Sequence, residues 1–206
     1  GQYSPTSEVG KVTSSTPMGS IDAPVRPLNV ALGAEATFVA RVVDTDAKLM
    51  QQVLKEASDH RGTSLIEIYQ NCNVFNDGAF VHLTKGDVKK DAQLVLQENK
   101  PMLFGKKNEK GLIFDNGALK VATIGEDGVT EDDVIVHDPT QPDTGMAFRL
   151  ASMNPPELPV AMGVMRKVQR PTYDAALVSQ VKQAQETKPD ADIRSLLYSG
   201  DTWQVD

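Results

Sequence analysis

The fold is decided by Phe-Val-Ala-Arg-Val-Val at residues 38–43 and Ser-Leu-Ile-Glu-Ile-Tyr at residues 64–69. Both runs are short, largely apolar and rich in β-branched residues, as buried strands are. Between them, Asp46 can cap a helix and Gly62 can end it. A strand, a helix and a second strand at this spacing predict two parallel strands in an α/β sheet. One stripe of the helix should pack on the second strand, so we expect these residues to be buried together: Leu49, Val53, Leu54, Ile66 and Ile68.

The remainder of the chain is less regular. Residues 70–78 form a polar loop at the carboxyl end of the second strand, the edge where open α/β sheets place their ligands. Near the end of the chain we expect Trp203 to anchor the terminus by packing. Further helices are expected at residues 28–36, 87–99, 147–153 and 172–186, and from Asp190 or Asp192 to Gly200. Short strands are expected at residues 101–104, 111–114, 119–124 and 134–136, with a hairpin turn at Asn116-Gly117.

Composition excludes some classes of protein. The 206 residues are 40% hydrophobic and 24% charged, with a formal net charge of -7, so nucleic acid and anionic membranes are poor partners. No apolar run approaches the roughly 20 residues that span a bilayer, and the start lacks the pattern of a signal peptide. A single cysteine, Cys72, rules out an internal disulfide and fits a reducing compartment. We therefore expect a cytoplasmic protein.

Spacing alone does not assign an enzyme. No glycine-rich phosphate-binding motif follows a strand, and the three histidines, His60, His82 and His137, are interpreted as ordinary surface or capping residues. Cys72 allows two interpretations: a buried small apolar residue, or a metal ligand in a polar loop. One thiolate cannot hold an iron–sulfur cluster, because a cubane needs four ligands. The opening residues 1–27 are either an irregular terminus or a functional loop.

A set of short motifs follows one order along the chain. They are GQYSPTS at 1–7, KVTSSTPMGS at 11–20, HRGT at 60–63, EIYQNC at 67–72, FNDG at 75–78, KPMLFG at 100–105, TIGE at 123–126, RPTY at 170–173 and SGDTW at 199–203. In this set the chain resembles the β subunits of 2-oxoacid:ferredoxin oxidoreductases. The closing motif resembles the longer β subunits of actinobacterial-type 2-oxoglutarate enzymes.

The resemblance implies a fold and a set of cofactors. Residues 1–85 would be the C-terminal part of a thiamine-diphosphate-binding domain, and residues 86–206 the C-terminal extension of the β subunit. The cofactors would be thiamine diphosphate, Mg2+ and a 4Fe-4S cluster, with most ligands on an N-terminal half that this sequence does not contain. Gln2, Ser4 and Thr6 would lie near the reactive end of the cofactor, and Cys72 matches the fourth cluster ligand. Cys72 should then point to the edge of the sheet, with Asn71 and Asn73 donating to its sulfur.

The resemblance also implies an activity. The enzyme would decarboxylate a 2-oxoacid oxidatively with coenzyme A, giving acyl-CoA and CO2, and pass electrons through the cluster to ferredoxin. Overall likeness favours 2-oxoglutarate over pyruvate, and the partner would be the α subunit of the same enzyme. This chain alone would be inactive, and no catalytic residue is assigned. The alternative is a non-catalytic α/β module retained for assembly with a partner subunit.

Overall fold

The computed structural model describes residues 2–188 and 192–205, which form two units, Gly1–Gln169 and Arg170–Asp206. The first unit contains two sheets and most of the helices. Its elements, in chain order, are α1 (Pro27–Gly33), β1 (Phe38–Val43), α2 (Ala47–Asp59), β2 (Ser64–Tyr69), α3 (Val81–Thr84), α4 (Val88–Ala92), β3 (Gln93–Val95), β4 (Leu103–Phe104), β5 (Lys110–Asp115), β6 (Ala118–Thr123), a 3-10 turn (Glu131–Asp133), α5 (Gly145–Ser152) and β7 (Val160–Lys167).

The main sheet is mixed, with the strand order β2-β1-β7-β3. β1 and β2 are parallel, in a register that runs from Phe38 opposite Ser64 to Val43 opposite Tyr69. The predicted parallel pair and the bounds of both strands are therefore confirmed. β7 pairs antiparallel with β1, and β3 pairs parallel with β7. The chain is thus an α/β protein whose sheet contains both kinds of pairing.

The helix α2 packs on the sheet through a narrow stripe. The side chain of Asp46 accepts a hydrogen bond from the backbone N–H of Leu49 at 3.2 Å, which confirms the predicted cap. Val53 is buried in a cluster with β1, and Leu49 and Ile66 are partly buried against it. The expectation of burial was wrong for Leu54 and Ile68, which are each 43% exposed. Leu54 lies off the stripe, and Ile68 is on β2, a strand at the edge of the sheet.

The strand β7 was not predicted, although it occupies an interior position of the sheet. Six of its eight residues are buried. Its partner β3 also replaces part of a predicted helix, because α4 ends at Ala92 and residues 93–95 are extended. Gln93 lies opposite Val160 in the ladder. The helix predicted at 87–99 is therefore wrong in its second half, where pairing with β7 satisfies the backbone groups.

A second, antiparallel sheet has the strand order β4-β5-β6. Asn116 and Gly117 connect β5 to β6 with φ values of 49° and 80°, as expected of a two-residue hairpin turn. The predicted strand at 134–136 is reduced to a single bridge between Pro101 and Val136. The largest apolar cluster includes residues of this sheet, of the main sheet and of α1 and α5.

Two polar side chains are fully enclosed in the first unit. Arg166 is 1% exposed, and its guanidinium donates to backbone oxygens that include those of Ala36 and Pro142. His137 is also 1% exposed, and its Nε2 lies 2.8 Å from the carbonyl oxygen of Val164. The interpretation of His137 as a surface or capping residue was therefore wrong. Burial is the largest influence on its imidazole and lowers its pKa.

The second unit contains α6 (Tyr173–Thr187) and α7 (Ile193–Leu197). Thr172 caps α6 as predicted, and Asp192 caps α7. The other candidate cap, Asp190, lies outside the described residues. Trp203 is 82% exposed, so the expectation that it anchors the terminus by packing was wrong. Across the described parts of both units, no helix has the length and apolar character needed to cross a membrane.

Candidate functional site

A cleft of about 850 Å³ opens beside the carboxyl-terminal halves of β1 and β2. This is the edge at which α/β sheets commonly bind ligands. Its walls come from the opening loop, the start of α1, the end of α5 and the loop after β2. The lining residues are Ser4, Thr6, Ser7, Glu8, Lys11, Pro24, Val25, Arg26, Pro27, Arg41, Glu67, Ile68, Tyr69, Gln70, Asn76, Ala79, Phe80, His82, Ala151 and Asn154.

The opening loop is held by its own hydrogen bonds. The backbone N–H of Gly10 donates to the carbonyl of Ser20 at 2.7 Å, and that of Ser20 donates to the carbonyl of Lys11 at 3.0 Å. Ser20 is buried, and its hydroxyl donates to the carbonyl of Glu8. At Gly19, with φ of 86°, a Cβ would lie 2.9 Å from the carbonyl oxygen of Gly10, so the close approach of the two segments requires glycine. These contacts hold the opening loop in a defined conformation.

Of the three residues predicted to lie near a cofactor, two line the cleft and one does not. The hydroxyls of Ser4 and Thr6 lie 2.9 Å apart, and both residues line the cleft. The backbone N–H of Thr6 also donates to the Ser4 hydroxyl. Gln2 is exposed and is not among the lining residues. The loop thus presents a pair of hydroxyls to the cleft, while Gln2 stands apart from them.

A buried ion pair forms part of the cleft wall. Arg41 on β1 is 4% exposed, and its Nε donates to a carboxylate oxygen of Glu67 on β2 at 2.6 Å. Its Nη2 donates to the carbonyl oxygen of Ala151 at 3.0 Å, at the end of α5. The guanidinium carbon lies 5.2 Å from the centre of the Tyr69 ring, which stacks on Phe80 at 4.5 Å. Burial raises the pKa of Tyr69, so its phenol stays protonated near neutral pH.

Sequence reasoning did not single out Arg41, although a signal was present. It is the only charged residue of an otherwise apolar six-residue strand. A charged side chain in a strand whose residues are all buried needs a partner, and here the neighbouring strand supplies the carboxylate.

Cys72 lies in the loop after β2, as predicted, and is exposed. Hydrogen bonds from the backbone N–H groups of Phe75 and Val74 are the largest influences on its thiol and lower its pKa. Stabilisation of a thiolate is what a metal ligand requires. The predicted donors differ from these, because the Asn71 amide donates to Asn73 and Asp77 instead.

The loop around Cys72 is joined to the opening loop. The ammonium of Lys11 donates to the side-chain oxygen of Asn76 at 2.6 Å and pairs with Glu8 at 3.1 Å. The backbone N–H of Asn76 in turn donates to the carbonyl of Cys72 at 3.0 Å. Within residues 2–188 and 192–205, no group of three His, Cys, Asp or Glu side chains could hold a metal ion.

No protein-family model matches the chain. The 2-oxoglutarate oxidoreductase subunit KorB of Mycobacterium tuberculosis (strain ATCC 25618 / H37Rv) is 44% identical over 209 aligned residues, which cover all of this chain and 55% of that protein. The β subunit of the 2-oxoacid:ferredoxin oxidoreductase of Saccharolobus solfataricus is 36% identical over 77 residues, 37% of this chain and 25% of that protein. This chain is a homologue of the 2-oxoacid:ferredoxin oxidoreductase β subunits. The predicted resemblance to that family is confirmed.

A solved structure shares the fold of this β-subunit homologue. It is the 2-oxoglutarate:ferredoxin oxidoreductase from Magnetococcus marinus with 2-oxoglutarate, coenzyme A and succinyl-CoA bound. The TM-score is 0.62 at 23% identity, over 98% of this chain and 53% of that one. The homologue thus spans about half the length of the curated KorB protein and of the solved chain that it matches.

Proposed function

We propose that this chain is part of the β subunit of a 2-oxoacid:ferredoxin oxidoreductase, with 2-oxoglutarate as the substrate and pyruvate as the alternative. The reaction is the oxidative decarboxylation of the 2-oxoacid with coenzyme A to acyl-CoA and CO2. The partners are the α subunit of the same enzyme and ferredoxin, in the cytoplasm. The observation that carries the proposal is the 44% identity to a 2-oxoglutarate oxidoreductase subunit along the whole chain.

The loop at Cys72 fits one corner of a 4Fe-4S cluster. Its sulfur is exposed and accepts backbone hydrogen bonds, as cluster thiolates do. When bound, the cluster would supply one-electron transfer towards ferredoxin. Cys72 would ligate it, and Lys11 would hold the loop in place through Asn76. The other three ligands would come from the rest of the β subunit.

In this proposal the cleft would receive the reactive end of thiamine diphosphate. Ser4 and Thr6 would place their hydroxyls beside the bound cofactor, and Gln2 would contribute from the adjoining segment. When bound with Mg2+, thiamine diphosphate would supply the group that stabilises the negative charge left on the substrate after CO2 departs. In this proposal residues 1–85 complete the thiamine-diphosphate-binding domain, and residues 86–206 form the C-terminal extension of the β subunit.

The experiment combines this chain with the remainder of the β subunit and the α subunit. We expect the complex to bind iron and thiamine diphosphate and to reduce ferredoxin in the presence of 2-oxoglutarate and coenzyme A. Cys72→Ala should lose iron and activity. The neighbouring Asn73→Ala is the matched control and should retain both, since that side chain does not bond to the sulfur.

Two results would contradict the proposal. A full cluster and normal turnover in Cys72→Ala would exclude Cys72 as a ligand. A complex that assembles without iron and without activity, although all its segments are present, would favour the non-catalytic assembly module. Comparison of 2-oxoglutarate with pyruvate in the same assay decides the substrate.

A further inference from the structure

A charged hydrogen bond joins the opening loop to the loop that carries Cys72. The ammonium of Lys11 donates to the side-chain oxygen of Asn76 at 2.6 Å, and the two residues are 65 positions apart in the chain. The Lys11 side chain is only 25% exposed, whereas that of its other partner, Glu8, is 68% exposed. Glu8 belongs to the same loop as Lys11. Of the two contacts, only the one with Asn76 joins Lys11 to a different part of the chain.

Asn76 contacts Cys72 through its backbone. Its N–H donates to the Cys72 carbonyl at 3.0 Å, and the two residues form an isolated antiparallel bridge. The same N–H also donates to the Cys72 sulfur, together with those of Phe75 and Val74. These N–H groups can point at the sulfur only while the turn from 72 to 76 keeps its shape. A bond that fixes the Asn76 side chain from outside the turn therefore also fixes the donors to the sulfur.

The turn has little burial of its own to hold it in shape. Cys72 is exposed, and the apolar side chains of Val74 and Phe75 are 78% and 73% exposed. Segments with few buried apolar contacts open at a low cost in free energy. A hydrogen bond to a charged group is roughly twice as strong as a neutral one. The bond from Lys11 to Asn76 is therefore a substantial part of what keeps this turn ordered.

Lys11 and Asn76 also line the cleft at the carboxyl ends of β1 and β2. Both residues thus belong to the wall of the cleft and to the connection with Cys72. The opening loop that presents the hydroxyls of Ser4 and Thr6 is the same loop that carries Lys11. The cleft and the turn at Cys72 are therefore supported by one connected set of residues.

We propose that Lys11 is a positioning residue, whose bond to Asn76 holds the turn at Cys72 against the cleft with its backbone N–H groups directed at the sulfur. This role rests on the proposed function, in which Cys72 ligates a 4Fe-4S cluster. Lys11 thereby keeps Cys72 at a fixed distance from the cleft. Its positive charge and the N–H donors that it orients both favour the more negative, reduced state of a cluster at Cys72.

The first test measures the turn in this chain without any cluster. Amide hydrogen exchange at position 76 is followed by NMR in the wild type, Lys11→Met and Lys11→Arg. Methionine has neither the charge nor the donors, so exchange should become roughly tenfold faster. Arginine has both and should keep most of the protection. Lys182→Met, at an exposed lysine of α6, is the matched control and should exchange like the wild type.

A double-mutant cycle shows whether the bond itself is responsible. Asn76→Ala removes the side-chain oxygen that accepts from Lys11 and leaves the backbone N–H in place. Both substitutions break the same bond, so the chain that carries Lys11→Met and Asn76→Ala together should exchange no faster than either single variant. Additive effects would show that the two side chains act separately, which would overturn the role proposed for Lys11.

The second test uses the complete enzyme, with the remainder of the β subunit and the α subunit. The midpoint potential of the cluster is measured by redox titration followed by electron paramagnetic resonance. Lys11→Met should shift the potential to more negative values, because it removes a positive charge and loosens the donors to the sulfur. Lys11→Arg should restore the potential, and Lys182→Met should leave it unchanged. A purely structural role would lower the amount of cluster without moving the potential of the clusters that remain.

The outcomes separate this role from the proposed function. The positioning role is overturned if exchange at position 76 is the same in Lys11→Met and the wild type, or if the potential does not move. A wild-type complex without a cluster would instead contradict the proposed function, and the exchange rates would still decide whether Lys11 holds the turn. If Lys11→Met does not fold, Asn76→Ala breaks the same bond and replaces it in both measurements.

Discussion

Gly163 in β7 should be intolerant of any side chain, and Gly163→Ala tests the placement of that strand. Its φ is 103°, a conformation that L residues rarely adopt. A Cβ at this position would lie 3.2 Å from the carbonyl oxygen of Leu96, which is backbone and cannot move aside as a flexible side chain could. Gly163 also lies opposite Arg41 in the sheet, so the strain would reach the wall of the cleft.

The cost of Gly163→Ala can be worked out from these two features. The unfavourable φ costs about 2 kcal/mol. The contact with the Leu96 carbonyl adds about 1 kcal/mol, the lower end for overpacking. A total of about 3 kcal/mol is a large share of the roughly 5–15 kcal/mol that stabilises a typical domain. For a chain of this size it corresponds to a fall in melting temperature of roughly 6–12 °C.

The matched control is Gly33→Ala in α1. Gly33 does not have a positive φ, and a Cβ there would meet only Phe148, at 3.9 Å. This substitution should stabilise the chain by about 0.5 kcal/mol, because alanine loses less backbone entropy on folding. Both variants are measured by urea denaturation followed by far-UV circular dichroism. A Gly163→Ala variant within about 0.5 kcal/mol of the wild type would refute the reasoning, as would an equal loss in Gly33→Ala.

Three further predictions concern single side chains. Burial lowers the pKa of His137 and of His60 below the usual 6.5, so the unfolded chain binds more protons than the folded chain below about pH 6.5. The free energy of unfolding should therefore fall as the pH drops from about 7 to about 5. His137→Gln should make this pH dependence weaker, and an unchanged dependence would contradict the prediction. Backbone hydrogen bonds lower the pKa of Cys72, so alkylation by iodoacetamide should reach half its maximum rate at a lower pH than in a free cysteine peptide; an equal or higher midpoint would contradict this. Trp203, the single tryptophan, is 82% exposed, so its fluorescence should be quenched readily by acrylamide and should hardly change on unfolding; a blue-shifted, protected emission would show that it is packed.

The fold could be predicted best where each element is indicated by its own residues and pairs with an element close to it in the sequence. Between Phe38 and Tyr69, strand, cap, helix and strand follow one another closely, and each is indicated by its own residues. The parallel direction of the two strands then follows from the connection, since a helical crossover joins parallel strands. The cap at Thr172 and the turn at Asn116-Gly117 were predictable for the same reason.

Elements that depend on distant partners were not predictable in this way. β7 contains Gly163 and follows three prolines, Pro155, Pro156 and Pro159, a pattern that favours a loop. Its conformation is set by β1 on one side and β3 on the other. The second half of the helix predicted at residues 87–99 is likewise not helical, because residues 93–95 pair with β7 as β3. The exposure of Trp203 likewise could not be inferred from its size.

The candidate site was likewise predictable only in those features that depend on local sequence. The polar loop at the end of β2 and the place of Cys72 within it followed from the order of elements along the chain. The donors to its sulfur did not, because they are backbone groups whose direction depends on how the loop turns. The pairing of Arg41 with Glu67 required the register of two strands, and its contact with Ala151 required the position of α5.

The position of β7 also sets an order of events during synthesis. It lies between β1 and β3 in the sheet, yet it leaves the ribosome after both. Among the described strands, β1 can pair only with β2 until residues 160–167 emerge, and β3 pairs in the main sheet only with β7. Contacts between such distant segments close slowly, because the entropy of a long loop must be lost before the pairing is gained. With respect to the described strands, the edge of β1 that faces β7 therefore stays unpaired until β7 is synthesised and joins β1 and β3 in one sheet.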